Sequence, residues 1–281
     1  MYDGLQEKYG FIPMNHEAPV FFPIGENGVY DDKGRLVPGY KRIERGDTGD
    51  TLAIHTDSYK LVPYERHFEL FENAIRAAKL PTPVVGTDME KNGAQIFRQY
   101  LFPDFTHEIE GRAGKHDVAL RIVMFDSYDG SSAFIGKCGY FDFACANKAF
   151  IGMALGDVKF RHVGDMDAKV RVAAEQLAEA ASEFPRTVSR MKAWSGVRLV
   201  AQQVEAIAKA LPQANRGLVD HLVSRWAKQD EDSLWGVHQV LTSWASHGDG
   251  DRVVPARTQA DRGKRIQTLI EGRDWKMLEP A

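Results

Sequence analysis

Asp126, Asp129 and Asp142 fall within one run of alternating apolar residues, where a hairpin could bring them together. Carboxylates gathered in this way hold magnesium in nucleases, although aspartates beside turn residues more often cap the turn. Ser127, Ser131 and Ser132 flank Asp129-Gly130, but no Gly-x-Ser-x-Gly elbow surrounds them. His107, Glu108, Glu110, His116 and Asp117 form the densest group of candidate metal ligands, yet their spacing fits no established site type, and a solvated loop is the plain reading. No His-Glu-x-x-His and no Cys-x-x-Cys occurs. No phosphate loop and no dinucleotide fingerprint follows a strand. The sequence therefore assigns no catalytic residue, no metal and no cofactor.

Features suited to nucleic acid are broader. Residues 186–228 carry Arg186, Arg190, Lys192, Arg198, Lys209, Arg216, Arg225 and Lys228 against Glu205 and Asp220 alone. A local basic face serves anion binding even in a chain whose net charge is −3, while a solvated helix surface explains the same pattern. Phe125, Tyr128, Phe134, Tyr140, Phe141 and Phe143 crowd the preceding region. Bases stack on exposed rings, but alternation turns half of these towards a core. The expected phosphate contacts are Arg121, Lys137, Arg186, Arg190, Lys192 and Arg198. Tyr128, placed in a turn, is the expected exposed stacking residue.

The elements that position these groups follow from periodicity. Residues 1–39 are rich in Pro, Gly and aromatics and read as an irregular arm with one strand. Tyr40–Arg45 and Thr51–His55 alternate across a Gly- and Asp-rich turn and predict a hairpin. Phe68, Phe71, Ile75 and Ala78 repeat at helical spacing after Pro63, and the helix stops before Pro81. Residues 84–150 read as a β meander, with Val118–Phe125 its strongest strand and Ser127–Ser132 a tight turn. Gly136 and Gly139 mark a bulge or a close backbone approach. Beyond about residue 165 the pattern is helical, broken at Pro185 and Pro212, with a polar loop over 248–256 and a last helix over about 257–271. Strands first and helices after predict an α+β fold: an antiparallel sheet in hairpin–helix–meander order, then a helical layer. The divisions expected are 1–39, 40–164 and 165–281.

The chain has 281 residues, 43% hydrophobic and 27% charged, which suits a folded protein with a sizeable core. Cys138 and Cys145 are too few for a disulfide framework and read as buried thiols. No apolar run is long enough to span a membrane, and the polar N-terminus resembles neither a signal nor a transit peptide. A cytoplasmic protein is expected, in the host cell cytoplasm if a phage encodes it.

The stretch Phe125-Asp126-Ser127-Tyr128-Asp129-Gly130-Ser131-Ser132-Ala133-Phe134 resembles the Ser-His-Asp-Gly-Ser-Ser-Ala core of a phage/plasmid-like family, domain of unknown function 932, with Tyr128 where that family usually has histidine. Tyr140 to Asn147 resembles its Val-Cys-Ser/Ala-Asn segment, and Tyr40 to Val62 its opening hairpin. Leu234-Trp235-Gly236 through His247 resembles its Leu-Trp-Gly helix, with departures at Gln239 and Trp244. The order of elements is also similar in topology to Rad52-like single-strand annealing proteins. These resemblances imply accessory genes of phages and plasmids, and supply no catalytic residue. The expected function is a non-enzymatic single-stranded DNA-binding or annealing protein of phage or plasmid replication and recombination, forming homo-oligomers. The alternatives are a counter-defence protein of anti-restriction type that binds a host protein, and a metal-dependent nuclease using Asp126, Asp129 or Asp142.

Overall fold

The computed structural model describes residues 21–142, 156–247 and 256–280. Three strands, β1 (Ile24–Tyr30), β2 (Leu36–Arg45) and β3 (Thr51–Thr56), pair antiparallel in chain order. The Asp31 carboxylate makes the first turn by accepting the Lys33 and Arg35 amides at 2.9 Å each. The second turn closes at Gly49, whose φ of 77° favours glycine. Ile43 points inward from β2 and is fully buried. The first strand was expected only loosely, within the arm.

Helix α1 (Tyr64–Ala77) starts directly after Pro63, whose fixed φ suits a helix entry. It buries Tyr64, His67, Phe68, Phe71 and Ile75, one stripe at helical spacing. The chain then enters a second antiparallel sheet: β4 (Val84–Glu90), β5 (Gln95–Gly111), β6 (Gly114–Ser127), β7 (Phe134–Asp142) and β8 (Gly156–Phe160), ordered as they occur. The β5–β6 ladder shifts register between Phe102 and Thr106, where Pro103 has no amide to give. Beyond that irregularity β5 continues to Gly111, so residues 107–117 are hairpin rather than loop.

Alternation gives the second sheet two faces. Val118, Leu120, Ile122 and Met124 of β6 share one with Phe134 and Cys138 of β7, all in the core. Helix α2 (Met166–Ser182) covers this face and is capped by Asp165, which accepts the Ala168 amide at 3.0 Å. A Cβ on Gly136 would stand 2.6 Å from Leu177 Cδ1 of α2, so the close approach expected there exists. Helices α3 (Phe184–Ser195), α4 (Ala201–Ala210), α5 (Arg216–Lys228), α6 (Leu234–His247), α7 (Ala256–Glu271) and α8 (Arg273–Lys276) complete the described chain. Pro185 occupies the first turn of α3, and the break from α2 falls at Glu183. Helix α6 is buried on nearly every side, as its high apolar content requires. The fold is α+β: antiparallel sheets of three and five strands, then a run of helices. Among the described residues no helix is long and apolar enough to cross a membrane.

Candidate functional site

The Phe125–Phe134 segment is the point where both sheets, α1 and the β8–α2 connection meet. Asp126, at the end of β6, points inward and accepts two imidazoles: His67 Nδ1 of α1 at 2.7 Å on one oxygen, and His162 Nε2 of the β8–α2 connection at 2.7 Å on the other. The Ser127 amide adds a third bond at 2.8 Å. All three side chains are buried. Burial alone would raise the Asp126 carboxyl, but the bonds from His162 and His67 outweigh it and hold the group at about 2. An ionised carboxylate only accepts, so the proton of each imidazole lies on the nitrogen that faces Asp126. The opposite nitrogens, His67 Nε2 and His162 Nδ1, are shielded from solvent and meet no partner.

Aromatic rings extend this trio towards the surface. His162 stacks on Tyr59 with centroids 5.1 Å apart, and Tyr59 stacks on half-buried His55 at 3.9 Å. His55 Nε2 donates to the Tyr128 carbonyl oxygen at 2.7 Å. Tyr59 donates to the Ser127 carbonyl at 3.3 Å. A side chain on Gly130 would strike the His55 ring, its Cβ falling 2.8 Å from Cε1. The arrangement fixes five segments of chain against one another through one carboxylate, two carbonyls and a ladder of rings.

Tyr128 is corrected by the structure. It is 2% exposed, because its ring stacks on Tyr64 at 3.8 Å and its hydroxyl accepts the Tyr64 amide at 2.9 Å. The Tyr64 hydroxyl meets the Tyr128 amide in return at 3.1 Å. Turn position alone suggested exposure; the helix that follows Pro63 folds over the turn instead. Phe134 and Tyr140 are also core residues, while Phe143 and Cys145 lie outside the described residues.

The basic stretch is largely neutralised. Arg186 faces Glu183 at 3.7 Å, Arg190 bonds Glu279 at 2.6 Å, and Arg198 pairs with Asp232. Lys209 and Arg216 face Glu205 and Asp220 along their own helices. Glu183, Asp232 and Glu279 lie outside residues 186–228, so counting charge along the chain could not reveal them. Lys192 is exposed on α3. Arg121 and Lys137 share the second face of the large sheet, one step apart in the β6–β7 register. Arg121 is 6% exposed, donates to Gln99, and burial draws its pKa down to about 9. Lys137 is half-buried opposite Asp157, and its pKa is lowered, first by burial.

The carboxylate and histidine groupings separate in three dimensions. Asp129 stays in its own turn, accepting the Ser131 amide at 2.9 Å and Gln95 Nε2 at 3.0 Å. The Asp142 side chain lies outside the described residues. In the β5–β6 hairpin, Ile109 pairs with His116 and Glu108 with Asp117, so the histidines take one face and the carboxylates the other. His107 packs near Phe184, and His116 meets Gln239 and the edge of Trp235. Among the described residues no group of three His, Cys, Asp or Glu could hold a metal ion. The small sheet leaves large apolar residues open: Tyr40 and Ile54 on the face turned away from Ile43, and Tyr30 and Leu36 at the hairpin tip.

Sequence reasoning missed His55, Tyr59, Tyr64, His67 and His162. The available signal was His67, a histidine on the apolar stripe of α1. The chain belongs to the family described as Domain of unknown function (DUF932), whose model matches residues 51–269. No curated protein and no solved structure matches it.

Proposed function

We propose that the chain is a non-enzymatic protein that binds single-stranded DNA, with the open face of the small sheet as its contact surface. One observation carries this reading. On the face of β2 and β3 turned away from Ile43, Tyr40 stands 49% and Ile54 57% exposed, with Arg42 paired to Ile54 across the strands. An exposed ring beside an aliphatic and a guanidinium accepts bases of any sequence by stacking. Tyr30, 63% exposed, and Leu36 stand at the tip of the β1–β2 hairpin on the side that Gly28 and Lys41 share with Ile43, apart from the Tyr40 face. Arg42 and Arg35 face Glu44 and Asp31, as most cations of 186–228 face carboxylates of their own, so the exposed ring and aliphatic side chain, and not the charge, single out this surface.

The test is titration of a fluorescent single-stranded oligonucleotide at low and moderate salt, with duplex as competitor. Preference for the single strand, weakened about tenfold or more by Tyr40→Ala, supports the proposal, since one stacked base contributes about 1–3 kcal/mol. Absence of binding at low salt, or equal binding by Tyr40→Ala, overturns it.

A host-protein partner is favoured by one specific feature of the same surface. Residues 24–57 carry Glu26, Asp31, Asp32, Glu44, Asp47, Asp50 and Asp57 against Lys33, Arg35, Lys41, Arg42 and Arg45. An apolar patch in an acidic surround suits a protein better than a phosphate backbone. On this reading salt and oligonucleotide have no effect, and Tyr40→Ala abolishes capture of a defined partner.

A further inference from the structure

Two arginines of α7 share one indole and have no carboxylate between them; Arg76, Arg161, Arg171, Arg225 and Arg273 also lack an ion pair among the described residues, but no two of them share a ring. Arg35, Arg42, Arg45, Arg66, Arg98, Arg112, Arg190 and Arg198 each face a carboxylate. Arg262 and Arg265 make no ion pair among the described residues. They are i and i+3 on one helix and so are neighbours on its surface, where like charges repel. Both guanidinium groups lie against one indole: the Cζ atoms of Arg262 and Arg265 are 4.5 and 5.0 Å from the Trp244 ring centroid.

Backbone carbonyls hold the two groups in place. Arg262 Nη1 donates to the Trp244 carbonyl at 2.6 Å, and Arg265 Nε donates to the Pro212 carbonyl at 2.6 Å. These bonds set the orientation of each planar fork but remove none of the charge. Arg265 Nη2 is shielded from solvent and meets no acceptor. Asp261, the nearest acid in sequence, acts on Lys137 instead. Burial, and then the charge of Arg262, lower the Arg265 pKa, which is the mark of a cation crowded by a like charge. Trp244 stabilises each cation through its ring face but neutralises neither.

We infer that Arg262 and Arg265 bind a phosphate group, Arg262 through Nε and Nη2 and Arg265 through Nη1, the donors that neither a carbonyl nor burial withholds. A tetrahedral anion matches two forks fixed on one support, and charge-assisted bonds from guanidinium to phosphate are among the strongest a surface makes. The phosphate could arrive as a free anion or as part of a single strand's backbone, and the experiment separates the two. The site is distinct from the small sheet: loss of oligonucleotide binding in Tyr40→Ala, with phosphate binding intact, would leave this inference standing.

The experiment is isothermal titration of the full chain with inorganic phosphate, and separately with oligothymidylate lacking terminal phosphates, at constant ionic strength in chloride. Saturable binding of inorganic phosphate, weakened at least tenfold by Arg262→Gln and by Arg265→Gln, is expected. Binding of oligothymidylate with the same dependence makes strand phosphates the source; binding of inorganic phosphate alone makes it a free anion. If a Gln variant fails to fold, Arg262→Lys and Arg265→Lys replace it, since lysine keeps the charge and loses the fork, and a severalfold weakening is expected. No saturable binding of either probe by the wild type, or binding that the variants leave unchanged, overturns the inference.

Discussion

Replacing Asp126 by asparagine keeps the shape of the side chain and removes its charge. The asparagine oxygen can accept from one imidazole, but its amide hydrogens oppose the N–H of the other. The carboxyl is held at about 2 against an ordinary 3.8. At 1.36 kcal/mol per pH unit the charge therefore contributes about 2 kcal/mol at neutral pH. A buried donor left opposed adds about 1–3 kcal/mol, so the expected loss is about 3–5 kcal/mol, as for other broken buried pairs. With an m-value near 3 kcal/mol per molar urea, the midpoint falls by about 1–1.7 M. The acid dependence has a definite sign. A depressed carboxyl gives stability that is complete above about pH 4 and disappears as pH falls through about 2. Urea unfolding of both proteins from pH 7 down to pH 2.5 should show the gap between them narrowing below pH 4. An unchanged midpoint at pH 7, or a gap that does not narrow in acid, would refute the argument.

His238 is encased by Trp194, Trp235 and Trp275, and burial draws its pKa down to about 3. Its neutral form therefore supports the fold above pH 6.5, and that support, on the order of a few kcal/mol, is lost as pH falls towards 3; His238→Phe should flatten the stability profile across this window. Gly136→Ala should cost about 1–3 kcal/mol, read as a lower midpoint in thermal unfolding, because Leu177 and Val158 occupy the space its methyl needs. Tyr128→Phe removes the acceptor of the Tyr64 amide and should cost about 1–2 kcal/mol in urea. Arg198→Ala, at an exposed ion pair, should change stability by less than about 1 kcal/mol in the same assay.

The fold was legible where one period dominated. The α1 stripe and the Val118–Phe125 strand announce themselves through spacing, and Pro63 marks a helix start and Pro185 a helix break because proline dictates local geometry. The continuation of β5 past Pro103 was not legible, since a proline followed by acidic and histidine residues reads as a loop until a partner strand supplies the ladder. The trio was hidden for a different reason. His67, Asp126 and His162 are separated by 59 and 36 residues, and only the packing of α1 and the β8–α2 connection against the end of β6 brings them together. The ion pairing along 186–228 was not legible, because the carboxylates Glu183, Asp232 and Glu279 come from neighbouring segments. The exposure of Tyr40 and Ile54 also needed the fold, since alternation says that two faces exist but not which one remains open.

The large sheet lists its strands in the order in which they leave the ribosome. Each of β5 to β7 can pair with the strand made just before it, and β8 completes the edge, so the sheet can form by successive hairpin closures with little loop entropy. Its cover is made later. Helix α1 reaches only the Tyr100 and Phe134 end of this face, so most of the row Val118, Leu120, Ile122 and Met124 waits until residues 166–195 have emerged as α2 and α3. During synthesis the nascent chain therefore passes through a stage with a paired sheet and an open apolar face, the kind of species that aggregates or recruits a chaperone. A chain stopped near residue 165 should accumulate in inclusion bodies, whereas synonymous codons that speed translation of 166–195 should raise the soluble yield of the full protein.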